Sequence, residues 1–272
     1  MKLISSREIM LDMPLWEPEL FGIFKKYNDD VCFYFLNRQT LYVFSESQLM
    51  PDVLLHCPDN HFFALPYKWQ WIDLHASSFL LLSESLGIDI IAQRLVSPLP
   101  ADLLVEYKTR VFREKHFEED NFEFNDYCIS HKGTSGYRCT KLGKHLWDFQ
   151  GRAYLYTEII QYQKYVFFGT GGHGGYFYVL ELDTGKVIAS LKTGGTACIA
   201  QKDNLCFFLR CDGKTELVCF DLQSGQIVNS IMLSGKASLN SRLQIIDNAI
   251  HTVTFRYRKD CLQSAIWHTI QI

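Results

Sequence analysis

The sequence lacks the short motifs that usually mark a catalytic centre. It has no GxSxG stretch, no recognisable Ser/His/Asp order and no carboxylates paired at matched positions, so neither a nucleophile elbow nor a two-carboxylate site is expected. No CxxC occurs, and His116, His131, His145 and His173 show none of the paired spacings of a zinc site. Cys128 and His131 stand three apart, but no second pair completes a ligand set. No metal and no cofactor are therefore expected, and the chain is read as a non-enzyme. Apolar runs such as Phe79–Leu82 fall far short of a membrane span. Met1 to Leu15 lacks a basic segment followed by a long apolar run, so no secretory signal is expected. No segment keeps a helical period or a helix cap.

Cysteine is not scarce, yet its pattern excludes a disulfide framework. The nine cysteines are odd in number and mostly lie in apolar strands, the pattern of buried thiols in a reducing cytoplasm. A net charge of −3 gives no bulk attraction to nucleic acid. The charge is uneven: residues 1–144 hold 15 Lys+Arg against 20 Asp+Glu, and residues 145–272 hold 12 against 10.

What the sequence does contain is a repeat. Tyr165–Gly195 and Leu205–Gly235 align without a gap at a period of 40. Phe167-Phe168 matches Phe207-Phe208, Leu182 matches Leu222, and Gly185 matches Gly225. Each copy runs as an aromatic strand, a glycine-containing turn, an alternating strand, a tight polar-Gly turn and a further strand. The turns are Asp183-Thr184-Gly185-Lys186 and Gln223-Ser224-Gly225-Gln226. A tight hairpin needs a residue at positive φ, which glycine adopts without a Cβ clash. Antiparallel strands recurring at about 40 residues are the mark of β-propeller blades.

These residues resemble the pyrroloquinoline-quinone-type β-propeller repeat, in which an aromatic residue often follows the Thr-Gly-Lys turn. Gly143-Lys144-His145-Leu146-Trp147 fits that form better than the later copies, which carry Ala189 and Asn229 at the corresponding place. The match covers roughly residues 141–235. It implies a propeller. Catalysis by the quinone enzymes would require adjacent cysteines and a calcium site, and the sequence has no Cys-Cys dipeptide and no evident acidic calcium cluster.

The expected fold is all-β: a single domain over residues 1–272, a β-propeller of six four-stranded blades, with seven as the alternative count. The blades are placed at about 1–50, 51–95, 96–144, 145–195, 196–235 and 236–272. In the first half, residues 1–24 read as a loop or a first outer strand. Leu86-Gly87-Ile88 reads as a worn copy of the later Gly turn, and Leu103–Phe112 as an alternating, half-exposed strand. The glycine-dense Gly169–Gly175 has neither the spacing nor the following helix of a phosphate-binding loop, and reads as a turn.

The sharpest surface feature is the stretch from Glu114 to Asp126, with six acids, one base and three interleaved phenylalanines. It reads either as a solvated inter-blade loop or as a docking edge for a basic protein, with carboxylates steering association and aromatic rings anchoring it. The contact residues expected are Glu114, Glu118, Glu119, Asp120, Phe122 and Glu123. The resulting reading is a cytoplasmic, bacterial-type immunity protein that binds one cognate toxin, a nuclease being the candidate, as a monomer in a 1:1 complex. No membrane and no direct nucleic-acid partner is expected. The alternatives are a scaffold propeller for complex assembly and a propeller enzyme acting on a sugar-type substrate.

Overall fold

A computed structural model describes residues 1–14, 21–27, 30–37, 40–45, 52–56, 70–74, 77–81, 86–103, 121–171, 174–196, 198–237, 241–259 and 261–272. Among them the chain is almost wholly strand, and its strands form six antiparallel sheets. This is the sheet content expected of propeller blades. The chain divides into two compact units, one of Met1–Leu11, Lys115–Arg258 and Leu262–Ile272, the other of Asp12–Glu114 and Lys259–Cys261.

The second unit holds two sheets. The first orders β2 (Phe21–Tyr27), β3 (Asp30–Asn37), β4 (Thr40–Ser45) and β5 (Asp52–His56) side by side. The other orders β6 (Gln70–Leu74), β7 (Ser77–Leu81), β8 (Gly87–Asp89) and β9 (Arg94–Val96). Gly87 corrects one expectation, because it lies within β8, opposite Leu81 and Val96, and not in a turn. The turn comes at residues 90–93, where Asp89 Oδ1 accepts the N–H groups of Ile91 and Ala92. Leu103 corrects another. Residues 101–103 are helical, and the rest of the strand expected to Phe112 lies outside the described residues.

The first unit holds four sheets. The third sheet orders β10 (Asn121–Phe124), β11 (Tyr127–Lys132), β12 (Gly136–Lys141) and β13 (Lys144–Gln150). The fourth orders β14 (Tyr154–Leu155), β16 (Tyr165–Gly171), β17 (Tyr176–Glu181) and β18 (Val187–Lys192), with β15 (Ile160–Tyr162) also on β16. The fifth orders β19 (Ile199–Lys202), β20 (Leu205–Arg210), β21 (Glu216–Asp221) and β22 (Gln226–Met232). These last two are the sequence repeat. Both tight turns close alike: Gly185 N–H donates to Glu181 O at 2.8 Å and Gly225 N–H to Asp221 O at 2.9 Å, at φ of 68° and 67°. Each following strand bulges at the same place, by one residue, at Leu146, Ile188 and Val228.

The sixth sheet joins the chain ends, in the order β1 (Lys2–Pro14), β25 (Cys261–Gln271), β24 (Ala249–Arg258) and β23 (Leu243–Ile246). The sheets therefore depart from the expected blade limits. β1 belongs with the C-terminal strands, and the cut at 144/145 falls within β13, inside the third sheet. Side chains secure the exchange. Glu8 takes Arg256 at 2.7 Å and the Ser264 hydroxyl at 2.5 Å. Ser6 Oγ lies 2.8 Å from His268 Nδ1, His268 Nε2 lies 2.9 Å from Thr254 Oγ1, and that hydroxyl donates to Ser234 O. A neutral ring protonated at Nε2 satisfies this whole set. Burial accordingly pushes the His268 pKa down to about 4.

The core runs between successive sheets of the first unit. Tyr137, Trp147 and Ile129 of the third sheet pack with Phe168, Tyr178 and Leu180 of the fourth. Phe167, Phe177 and Val179 of the fourth pack with Phe208, Val218 and Phe220 of the fifth. Phe207, Leu209 and Leu217 of the fifth pack with Leu243, Ile250 and Ile270 of the sixth. Each such aromatic or aliphatic side chain, once buried, contributes about 1.5–3 kcal/mol of transfer free energy.

Candidate functional site

Strand β10 carries the end of the acidic stretch, and its alternation sorts the residues. Phe122 stands opposite Ile129 and is 4% exposed within the core of the third sheet. Phe124 packs half-buried against the same core. Glu123, between them, is exposed on the other face, opposite Cys128. Phe122 is thus a correction: it anchors the strand and presents no ring to a partner. Glu114, Glu118, Glu119 and Asp120 lie outside the described residues.

The face that carries Glu123 continues across the sheet as a charged surface. Asp148 accepts from Arg138 Nε at 2.9 Å and from Lys132 Nζ at 2.8 Å, and lies 3.3 Å from His145 Nε2. The Arg138 hydrogen bond, then Lys132, holds the Asp148 carboxyl well below the usual carboxylate range. All four side chains are substantially exposed. At the opposite end of the strands, the Tyr127 hydroxyl donates to Asp183 and Lys141 donates to Tyr127 at 2.5 Å. Tyr127 and then Lys141 pull the Asp183 carboxyl down.

A second cluster has no signature in the sequence. Arg152 follows β13, and its backbone N–H donates to the Tyr178 hydroxyl at 3.0 Å. Its guanidinium lies 5.5 Å from the Tyr176 ring centre, and Nη1 donates to the Tyr176 hydroxyl at 3.0 Å. Ala153 has a φ of 63°, and Tyr154 beyond it is 57% exposed. The nearby glycines are demanded by packing: a Cβ on Gly171 would lie 1.7 Å from the Tyr156 ring, and one on Gly175 would lie 2.2 Å from Thr170 O. Close approach thus accounts for Gly169, Gly171 and Gly175, while Gly174 sits at a φ of 89° in a turn with none of the described residues near its Cβ position, and Gly172 and His173 lie outside the described residues.

No group of three or more His, Cys, Asp or Glu side chains that could hold a metal occurs among the described residues. Of the thiols, burial pushes Cys198 up to about 12, and Cys139 and Cys211 up to about 11, so they stay protonated near neutrality and act as small apolar groups. Among the described residues no helix is long and apolar enough to cross a membrane.

Neither a protein-family model nor a curated protein matches the sequence. Among solved structures, the computationally designed Ika8 protein is similar at 14% identity and a TM-score of 0.40, over 90% of this chain and 70% of that one. The computationally designed Ika4 protein is similar at 16% identity and a TM-score of 0.39, over 56% of this chain and 92% of that one. BamB from Moraxella catarrhalis is similar at 12% identity and a TM-score of 0.39, over 92% of this chain and 69% of that one. At such identities and scores these likenesses carry no argument about activity or partners.

Proposed function

We propose that the six sheets are the blades of one β-propeller and that the protein works by binding another protein, without catalysing a reaction. The most concrete form of this reading is a cytoplasmic immunity protein that occludes a basic toxin, a nuclease being the natural candidate. The observation that carries it is the rooting of the acidic stretch. Phe122 and Phe124 fix β10 in the core, which leaves Glu123 exposed on the opposite face of the strand. Carboxylates so placed speed association with a basic partner and lose that effect as salt rises.

Affinity capture from the protein's own cells, at low and high salt, should retain one stoichiometric basic protein. Reversing Glu118, Glu119, Asp120 and Glu123 to lysine should then weaken its binding and flatten the salt dependence. An undiminished affinity in that variant would remove the acidic stretch from the interface. Retention of a small sugar in place of a protein would favour the enzyme alternative.

A further inference from the structure

We infer that Arg152, with Tyr154 and Tyr176, forms a second protein-docking point that takes a carboxylate from an acidic segment of a partner. This does not use the acidic stretch, but it rests on the reading of the protein as a binder of another protein. Three other surface arginines of the same unit are each engaged by a carboxylate. Arg138 holds Asp148, Arg210 holds Glu216, and Arg256 holds Glu8. Arg152 has a phenol where those have a carboxylate. Its Nη1 is engaged by the Tyr176 hydroxyl, and among the described residues no acid lies within ion-pair distance. The nearest acid along the chain, Asp148, is already held by Arg138 and Lys132.

The guanidinium is nevertheless held in place. It lies over the Tyr176 ring, which stacks at 5.6 Å on Tyr178, itself packed in the core with Phe149 and Phe168. The Arg152 backbone is tied to the Tyr178 hydroxyl. A guanidinium fixed by a neutral partner keeps its full charge and its Nε–Nη2 edge for a planar bidentate acceptor. Ala153 adds a second observation. Its φ of 63° turns the chain sharply after Arg152. Here it separates Arg152 from Tyr154, which is 57% exposed. Arginine and tyrosine are among the side chains that dominate protein interfaces, and here Tyr176 holds the guanidinium. Among the described residues no glutamate or aspartate competes for the edge, so the complementary group is an anion. In a protein-binding surface that anion is an Asp or Glu side chain.

The test uses the intact protein and a capped tetraglutamate peptide, with capped tetralysine and a tetrathymidylate of similar charge as comparators. Binding is followed by NMR at the Arg152 Nε–H and the Tyr154 ring. Tetraglutamate should perturb both signals, and tetralysine neither. Affinity should fall about tenfold in Arg152→Ala, as for an interface anchor. It should fall several-fold in Arg152→Lys, which keeps the charge but loses the fork. Arg138→Ala, which removes a nearby charge already paired, should change it less than about twofold. Absence of perturbation, or equal affinity in Arg152→Ala, would overturn the proposal. So would tighter binding of tetrathymidylate than of tetraglutamate, since it would assign the site to phosphates.

Discussion

The junction between the third and fourth sheets differs from the junction between the fourth and fifth, although both follow the same turn. In the first, Trp147 lies against Gly185, so close that a Cβ there would stand 2.6 Å from the indole, and its Nε1 donates to Leu182 O at 2.8 Å. One side chain covers the turn and satisfies a carbonyl of the next sheet. In the second, Gly225 is met only by Ile188 Cγ2, at 3.3 Å from where its Cβ would be. Ala189 and Asn229, aligned with Trp147, have no ring to offer. What both junctions share is an aromatic middle, with Tyr137 against Phe168 at 4.8 Å in the first and Phe177 on Phe208 at 4.2 Å in the second. The backbone turn is therefore retained where the clamp above it is lost. Positive φ at the turn has few solutions, whereas buried volume between sheets has many.

The largest test of this contrast removes the clamp. Trp147→Ala should lower the unfolding free energy by about 3–5 kcal/mol in denaturant titration. Ile188→Ala, half-buried over the equivalent glycine, should cost about 1–2 kcal/mol. Equal losses would mean that the indole is not what distinguishes the junctions. The next effect lies outside both, at the joined chain ends. His268 has a pKa near 4 when folded against an ordinary value of 6.5. Its stabilising contribution is complete above pH 6.5 and is lost as pH falls to 4, because the unfolded chain takes up the proton first. That is about 3 kcal/mol, and it should appear equally in the wild type and in Trp147→Ala. The Asp148 carboxylate acts in the same sense, but only below the ordinary aspartate range. Gly185→Ala combines a φ of 68° with contact on the indole and should cost about 2–3 kcal/mol. Gly225→Ala, with the φ cost and a yielding Ile188 methyl, should cost about 1 kcal/mol. A further pair separates anchor from surface on β10, and its surface member gives the smallest effect of all. Phe122→Ala should cost about 3 kcal/mol, and Glu123→Lys less than about 0.5 kcal/mol, both read from thermal melts.

The repeated sheets were legible because a period-two pattern and a glycine turn are local properties. Trp147 was legible as a marker of resemblance, while its contact with Gly185 and Leu182 spans two sheets and shows only in the fold. Phe122 was misplaced among surface residues because acids surround it. Its alternation with Glu123 along a four-residue strand was the sign that it faces inward. Gly87 was mistaken for a turn because glycine in a strand, admitted there by close neighbours such as Leu99, reads the same as glycine at a bend. The pairing of β1 with β25 left no local sign, since its hydrogen bonds join residues about 260 apart, as at Ser6 and His268. Arg152 was missed because an alanine at positive φ carries none of the signature of glycine or asparagine.

The joining of the chain ends is the claim on which a propeller reading most depends, and removal of residues 1–11 tests it directly. Without β1, the β25 edge is bared and Arg256, Ser264 and His268 lose Glu8 and Ser6. The shortened chain should melt far below the full-length protein, and a synthetic peptide of residues 1–12 added in trans should restore much of the loss. A shortened chain that melts with the full-length protein and ignores the peptide would contradict the account.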